Sequence, residues 1–233
     1  VVTRVVDQLK EYGETRRGWL GVRIQDVTDD VAEAMELEEV RGALVTDVPE
    51  GPAAEAGMEA GDVILSFDGK PVEDTRGLVR QVGNTEVGKT VRVVVFRQGK
   101  TQTLKVTLGR REVAEGAVPT AQPGTDSQEE PSSANMMGLT LNPLNQELRG
   151  QLELDDDATG LVVTDVDNLS DAYEKGVRAG DLITEAGQQK VASISDLQDR
   201  IAEAREAGRT SILLLVRRAG EPRFVALPVD SDD

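Results

Sequence analysis

The sequence predicts an α+β chain, mainly β, built as two copies of one module, and three observations carry that reading. At 233 residues the chain exceeds the usual single-domain size and suits two domains of roughly 100 residues each. Its apolar residues fall in short alternating runs separated by Gly, Pro and Asp-Gly turns, the pattern of half-buried strands. The pattern also repeats. Gly160-Leu161-Val162-Val163-Thr164-Asp165-Val166 matches Gly42-Ala43-Leu44-Val45-Thr46-Asp47-Val48, and Ala179-Gly180-Asp181-Leu182-Ile183 matches Ala60-Gly61-Asp62-Val63-Ile64 one inserted residue later.

In the first copy, Arg16-Arg17-Gly18-Trp19-Leu20-Gly21-Val22-Arg23-Ile24-Gln25 reads as a turn feeding a strand. Thr28 caps a helix whose first turn holds Asp29 and Asp30. A strand follows over residues 42–48. Pro49, Gly51 and Pro52 break it, and Ala53-Ala54-Glu55-Ala56 makes a helical turn that Gly57 ends. Residues 60–67 form the next strand with its entry turn, and Asp68-Gly69 turns the chain back to Pro71-Val72. Within residues 74–82, Leu78, Val79 and Val82 give a helix one narrow buried stripe. Strands over 90–96 and 102–108 close the module through a Gln98-Gly99 hairpin.

The second copy follows the same plan. Met136-Met137-Gly138-Leu139 falls where Trp19-Leu20-Gly21-Val22 does, and Asn142-Pro143 is the expected helix cap. Residues 194–204 form the counterpart helix with Leu197 and Ile201 on one face, and strands over 212–216 and 223–227 close the sheet. Residues 1–15 carry Val2, Val5, Val6, Leu9 and Tyr12 at helical spacing. They read as the end of a missing upstream domain or as an ordinary leading helix. The modules then occupy 16–111 and 136–233. Between them, residues 112–135 are rich in Pro, Gly, Ser, Thr and Glu, contain no Lys or Arg, and form a flexible acidic linker. The linker either only tethers the modules or lets them grip one chain at two places.

Composition narrows the function. A formal net charge of −17 argues against a nucleic-acid binder and against anionic membranes, since both need concentrated Lys and Arg. No run approaches the ~18 apolar residues of a spanning helix. With one Trp, two Tyr and three Phe, the cores rest on Val, Leu, Ile and Ala. The absence of His removes the usual general base, the absence of Cys removes thiolate chemistry, and no Gly-x-Ser-x-Gly elbow is present. Neither Asp155-Asp156-Asp157 nor Asp165-Val166-Asp167 fits a calcium loop. No catalytic residue, metal or cofactor is therefore expected.

What remains is recognition. Glycines 18 and 21 permit positive φ, so successive N–H groups could converge on an anion such as a peptide C-terminal carboxylate. The strand after the turn could accept an extended peptide along its edge. The Asp of each Ala-Gly-Asp turn is expected to bond nearby N–H groups.

Trp19-Leu20-Gly21-Val22, the Gly-Ala-Leu-Val and Pro-Ala-Ala-Glu-Ala-Gly segments, and Ala60-Gly61-Asp62-Val63-Ile64 together resemble the PDZ domain in its bacterial, circularly permuted form. The tandem arrangement and the lead-in Glu11-Tyr12-Gly13-Glu14-Thr15-Arg16-Arg17 resemble HtrA/Deg periplasmic serine proteases of the DegP- or DegQ-like Do type, without their protease domain and its Gly-Asn-Ser-Gly-Gly motif. The second copy departs from the pattern at Leu169-Ser170-Asp171-Ala172-Tyr173. The resemblance implies two small, partly open β-barrels or sandwiches, each of five or six strands with two or three short helices. It implies a carboxylate-binding loop at Trp19, Leu20, Gly21 and Val22, and a groove lined by Ile24, Leu78, Val79 and Val82. In the second module the groove residues would be Met137, Gly138, Leu139, Leu141, Leu197 and Ile201, with a purely structural role as the alternative. It further implies a periplasmic location and unfolded envelope polypeptides as partners, along with the upstream protease domain and neighbouring subunits of a trimer-based cage. Substrate delivery, cage assembly and a protease-free tandem scaffold are the three functions open at this point.

Overall fold

The computed structural model describes residues 18–37, 39–110, 133–152, 154 and 158–229. The leading helix, Arg16, Arg17, Asp155-Asp156-Asp157 and most of the acidic linker lie outside the described residues. The chain divides into two compact units. Residues 40–110 belong to the first with 18–27, whereas 28–39 group by their contacts with the second.

In chain order the described elements begin with β1 (Gly18–Trp19), β2 (Arg23–Asp26), α1 (Asp29–Ala34), β3 (Ala43–Asp47), α2 (Pro52–Glu55), β4 (Val63–Phe67) and β5 (Lys70–Pro71). Next come α3 (Thr75–Gly83), β6 (Thr90–Arg97), β7 (Lys100–Thr107) and β8 (Gly109–Arg110). The rest are β9 (Ala134–Met136), β10 (Leu139–Pro143), α4 (Gln146–Gln151), β11 (Leu161–Val166), α5 (Asp171–Glu174), β12 (Leu182–Ala186), β13 (Gln189–Lys190), α6 (Ile194–Glu206), β14 (Ser211–Arg218) and β15 (Glu221–Pro228).

The first unit is a six-stranded antiparallel sheet in the order β2-β3-β4-β6-β7, with β5 beside β4 and a small separate β1-β8 pair. Alternation along β6 sends Val91, Val93 and Val95 into the core, where they meet Ile64, Phe67, Val72 and Leu78. Asp68-Gly69 and Gln98-Gly99 each take positive φ at both positions, so both turns match the twist of the strands they join. The helix starts follow cap chemistry. Asp74 accepts the Gly77 N–H at 2.6 Å, and Leu78 and Val82 are buried one turn apart. Val79 does not share their stripe: it is 60% exposed, because consecutive helical residues point about 100° apart.

The second unit has a seven-stranded sheet ordered β15-β14-β12-β11-β10-β9, with β13 beside β12. The expected five or six strands per module hold for the first sheet, and β9 adds the seventh to the second. Ala134 and Asn135, assigned to the linker by composition, lie in that strand. Three residues without an apolar period carry no local signal, and pairing with β10 determines their conformation. The expected cap at Asn142 is also displaced. Asn142 and Pro143 extend β10, while Asn145 caps α4 by accepting the Leu148 N–H at 2.8 Å. Ser193 and Asp196 form a capping box at the start of α6. In the same unit α1, capped by Thr28, places Asp30 2.7 Å from Lys175 Nζ and Glu36 2.9 Å from Arg209 Nε.

Each Ala-Gly-Asp turn buries its carboxylate completely. Asp62 accepts the Glu59 N–H at 3.0 Å, and Asp181 accepts the Arg178 N–H at 3.0 Å. Each carboxylate also meets an arginine at two points. Arg97 donates through Nε at 2.6 Å and Nη2 at 2.7 Å, and Arg218 does so to Asp181 at the same distances. Hydrogen bonding to the buried carboxylate raises the Arg97 and Arg218 pKa values further above their usual range. Arg97→Ala would leave Asp62 charged and buried without its partner. We expect a loss of about 3 kcal/mol, read by chemical denaturation, with Asp62→Asn in the same background recovering part of it.

Candidate peptide-binding site

In the first unit the site is assembled by the chain between β1 and β2. Gly18 starts β1 against the end of α3, where a Cβ would lie 2.6 Å from the Val82 carbonyl oxygen and 2.9 Å from that of Thr85. Close approach, and not positive φ as expected from sequence, is what requires glycine there. Gly21 does take positive φ, at +80°. The Trp19 indole lies against this backbone. Its Cη2 would be 3.1 Å from a Cβ at Gly21 and 2.9 Å from one at Gly51, so the half-buried ring braces the loop.

The orientation of the amides follows from one anchor. The Leu20 carbonyl accepts the Ala53 N–H of α2 at 3.0 Å. Because a trans peptide is planar, the Gly21 N–H points the opposite way, away from Ala53. Leu20, Gly21 and Val22 donate their N–H groups to no acceptor among the described residues. The Leu20 side chain is buried, which holds the loop down, while Val22 and Ile24 are half-buried against the core. The arrangement leaves a short run of unsatisfied donors at the head of β2, a geometry suited to an anionic group.

Beyond the loop, β2 pairs with β3 through Ile24↔Val45 and Gln25↔Leu44, and among the described residues no strand covers its other edge. α3 lies beside β2, with Leu78 and Val82 in the core cluster below. The structure thus brings Trp19, Leu20, Gly21, Val22, Ile24, Leu78 and Val82 to one end of the unit, while Val79 stands apart on the exposed face of α3. One contributor was not visible in the sequence. Asp26, at the end of β2, accepts from Thr75 N at 2.9 Å and Thr75 Oγ1 at 2.7 Å, tying the strand to the first turn of α3. The partners are 49 residues apart, and an exposed Asp beside a helix start has no local mark of that role. Arg23, 3.7 Å from Asp47, puts a cation next to the loop.

The second unit builds the corresponding region differently. Met137, Leu139, Leu141, Leu197 and Ile201 are all buried in its core cluster, and Gly138 sits at a turn. Residues 136–139 are the end of β9, a two-residue turn and the start of β10, where the first unit has an open loop. Among the described residues no group of three or more His, Cys, Asp or Glu could hold a metal ion.

Two antiparallel sheet units of this topology, each with a helix beside the strand that follows the glycine loop, define a class that the sequence comparison identifies. The chain belongs to the PDZ domain family, whose model matches residues 18–108 and 136–229. Over 97% of its length it is 40% identical to a protein of Bartonella henselae described as a probable periplasmic serine endoprotease DegP-like, of which the match spans 43%. A Brucella suis protein of the same description is 36% identical over 98% of the chain and 42% of its own length. The chain therefore spans less than half the length of these relatives. Among solved structures, HtrA-type protease AlgW with a decapeptide is 37% identical, with a TM-score of 0.43 over 47% of this chain and 34% of that one.

The Asp26 clamp makes a pH prediction. Hydrogen bonds from the Thr75 N–H and hydroxyl hold the Asp26 carboxyl below its usual pKa. A depressed folded-state pKa contributes stability that is present above the unfolded value of about 3.9 and lost as pH falls through the folded value. Asp26→Asn should therefore lower stability at neutral pH and flatten the acid limb below about pH 4, as measured by denaturant midpoints across pH.

Proposed function

We propose that the first unit receives the C-terminal end of an extended polypeptide. The carboxylate is held by the Leu20, Gly21 and Val22 amides, the backbone adds antiparallel to β2, and the last apolar side chain enters the space between Ile24 and α3. The observation that carries this reading is a run of three amides with no acceptor at the head of a strand edge that no described residue covers. Both halves of a strand-addition site are present together: unsatisfied main-chain donors for the terminus and an open ladder for the segment before it.

By analogy with the relatives, the ligands would be unfolded or C-terminally exposed envelope proteins in the periplasm. Their capture would serve recruitment, regulation and assembly of an HtrA-type serine endopeptidase whose catalytic domain is not in this sequence. Assembly is a second reading with its own support. α1 belongs to the first repeat in sequence, yet it packs with β14 and β15. A surface on those strands that accepts this helix suits subunit contacts as well as a single chain, and sedimentation of the complete protein with and without residues 136–233 separates the roles by particle mass.

Titration calorimetry tests the recognition reading directly. A peptide ending in a free Val carboxylate should bind the chain at about micromolar affinity. Amidation of that terminus, Gly21→Pro and Ile24→Glu should each weaken it at least tenfold, with circular dichroism unchanged. Equal affinity for the acid and the amide would remove the role of the loop amides.

A further inference from the structure

In the second unit the place of an added strand is already filled by the chain itself. β9 runs antiparallel to β10 with Met136 opposite Leu139, Asn135 opposite Thr140 and Ala134 opposite Leu141. It lies on the edge of β10 away from β11, the edge that on β2 in the first unit carries no strand among the described residues. The direction is also that of a ligand. β9 ends at the head of its partner strand, so Met136 stands where the last residue of a captured peptide would stand. Met136 and Ala134 are partly buried while Asn135 between them is exposed, and Met136 packs on the core cluster as a ligand's terminal side chain would.

The hairpin is held by more than its ladder. Met137 and Gly138 take φ of +53° and +68°, the paired positive values of a tight two-residue turn. The Met137 side chain is buried, and the Gly138 carbonyl accepts the Asp167 N–H at 2.9 Å. A Cβ at Gly138 would lie 2.2 Å from Ser170 Cβ, so no other residue fits this turn without displacing α5. These contacts seat a strand of only three residues that pairing alone would leave marginal.

We propose that residues 134–136 are a resident strand that occupies the peptide edge of the second unit, and that an outside peptide reaches β10 only when this strand is withdrawn. The inference rests on the strand-addition reading of the first unit. Tethering gives the resident strand an effective concentration of about millimolar or above, so a free peptide at micromolar concentration does not compete with it. Its residue nearest the turn continues into the chain instead of ending in a carboxylate. The amide loop of the first unit is therefore unnecessary here, and the turn replaces it.

The test uses the whole 233-residue chain, which contains no cysteine. A two-residue loop closes on the bonded pair Met136 and Leu139, so Asn135 and Thr140 form the next, non-bonded pair, whose Cα atoms lie about 4.5 Å apart, within disulfide reach. Asn135→Cys with Thr140→Cys should oxidise to a staple. Ala134→Pro with Met136→Asp should loosen the strand, and Met136→Asp alone keeps every ladder donor should the double variant fold poorly. Amide resonances of Ile24, Leu139 and Leu141 are followed while a decapeptide ending in a free Val carboxylate is added. The unmodified and stapled chains should respond at Ile24 only. A loosened chain should respond at both edges, with affinity at β10 raised at least tenfold. Failure of the staple to form, a peptide response at β10 in the stapled chain, or no gain at β10 in a loosened chain that still responds at Ile24 would each overturn the proposal. A loosened chain that responds at β10 while no chain responds at Ile24 would uphold it and remove the reading of the first unit.

Discussion

A strand at the edge of a sheet leaves a row of backbone donors and acceptors that must be satisfied, and much of what distinguishes the two halves of this chain follows from how they meet that demand. In the first unit no described strand covers the outer edge of β2, and the Leu20, Gly21 and Val22 N–H groups before it have no acceptor among the described residues. In the second, β9 closes the edge of β10. An uncovered edge is a hazard for unplanned pairing, and proteins that keep one limit it by making it short or by guarding it with charge. β2 has four residues and begins and ends with the charged Arg23 and Asp26. Both devices leave the edge available to an extended partner while limiting what else can pair there.

Keeping such an edge in shape requires rigid surroundings, since donors that wander lose their convergence. The Leu20 carbonyl bond to Ala53, the Trp19 ring against Gly21, and the approach of Gly18 to the end of α3 set the loop from three directions. Asp26 then fixes the far end of the strand to α3 through Thr75. The buried Asp62 and Asp181 do similar work for the scaffold. Each combines a local N–H bond with a two-point arginine contact from the strand hairpin that follows, which joins the turn before β4 or β12 to the sheet. A charge taken out of water this completely is tolerated because both oxygens of each carboxylate accept from an arginine and one also accepts from a backbone N–H.

Much of this was legible in the sequence because it is local. The strand hairpins at Asp68-Gly69 and Gln98-Gly99, the Thr28 cap and the repeat itself all rest on neighbouring residues, and the structure places them as read. Several of the points of departure share a cause, that the deciding partner is distant in sequence. Gly18 reads as a glycine placed for positive φ until the backbone of Val82 and Thr85 arrives beside it. Asp26 reads as a polar strand end until Thr75 does. Val79 belongs to an apolar trio by composition, yet the rotation of the helix turns it outward. Arg97 and Arg218 carried no signal either, since a lone arginine in a strand is ordinarily solvated.

The repeat conceals the most consequential divergence. Aligned by position, Met136-Met137-Gly138-Leu139 and Trp19-Leu20-Gly21-Val22 share a glycine before an apolar residue, and the sequence invites one structure for both. What separates them is the residue before the glycine and what lies above it. Met137 adopts positive φ along with Gly138, which folds the chain back on itself, whereas only Gly21 does so in the first unit and the chain runs on into β2. Ser170 at the start of α5 presses on Gly138, and the Asp167 N–H holds its carbonyl, whereas Ala53 in α2 takes the carbonyl of Leu20, one residue before the glycine. Shifting that anchor by a single residue changes which amides face outward and whether the preceding chain can pair with the edge. Duplicated modules of one fold can therefore separate into one with an unpaired strand edge among the described residues and one with a paired edge through a turn and its anchor, with their cores retaining the same plan.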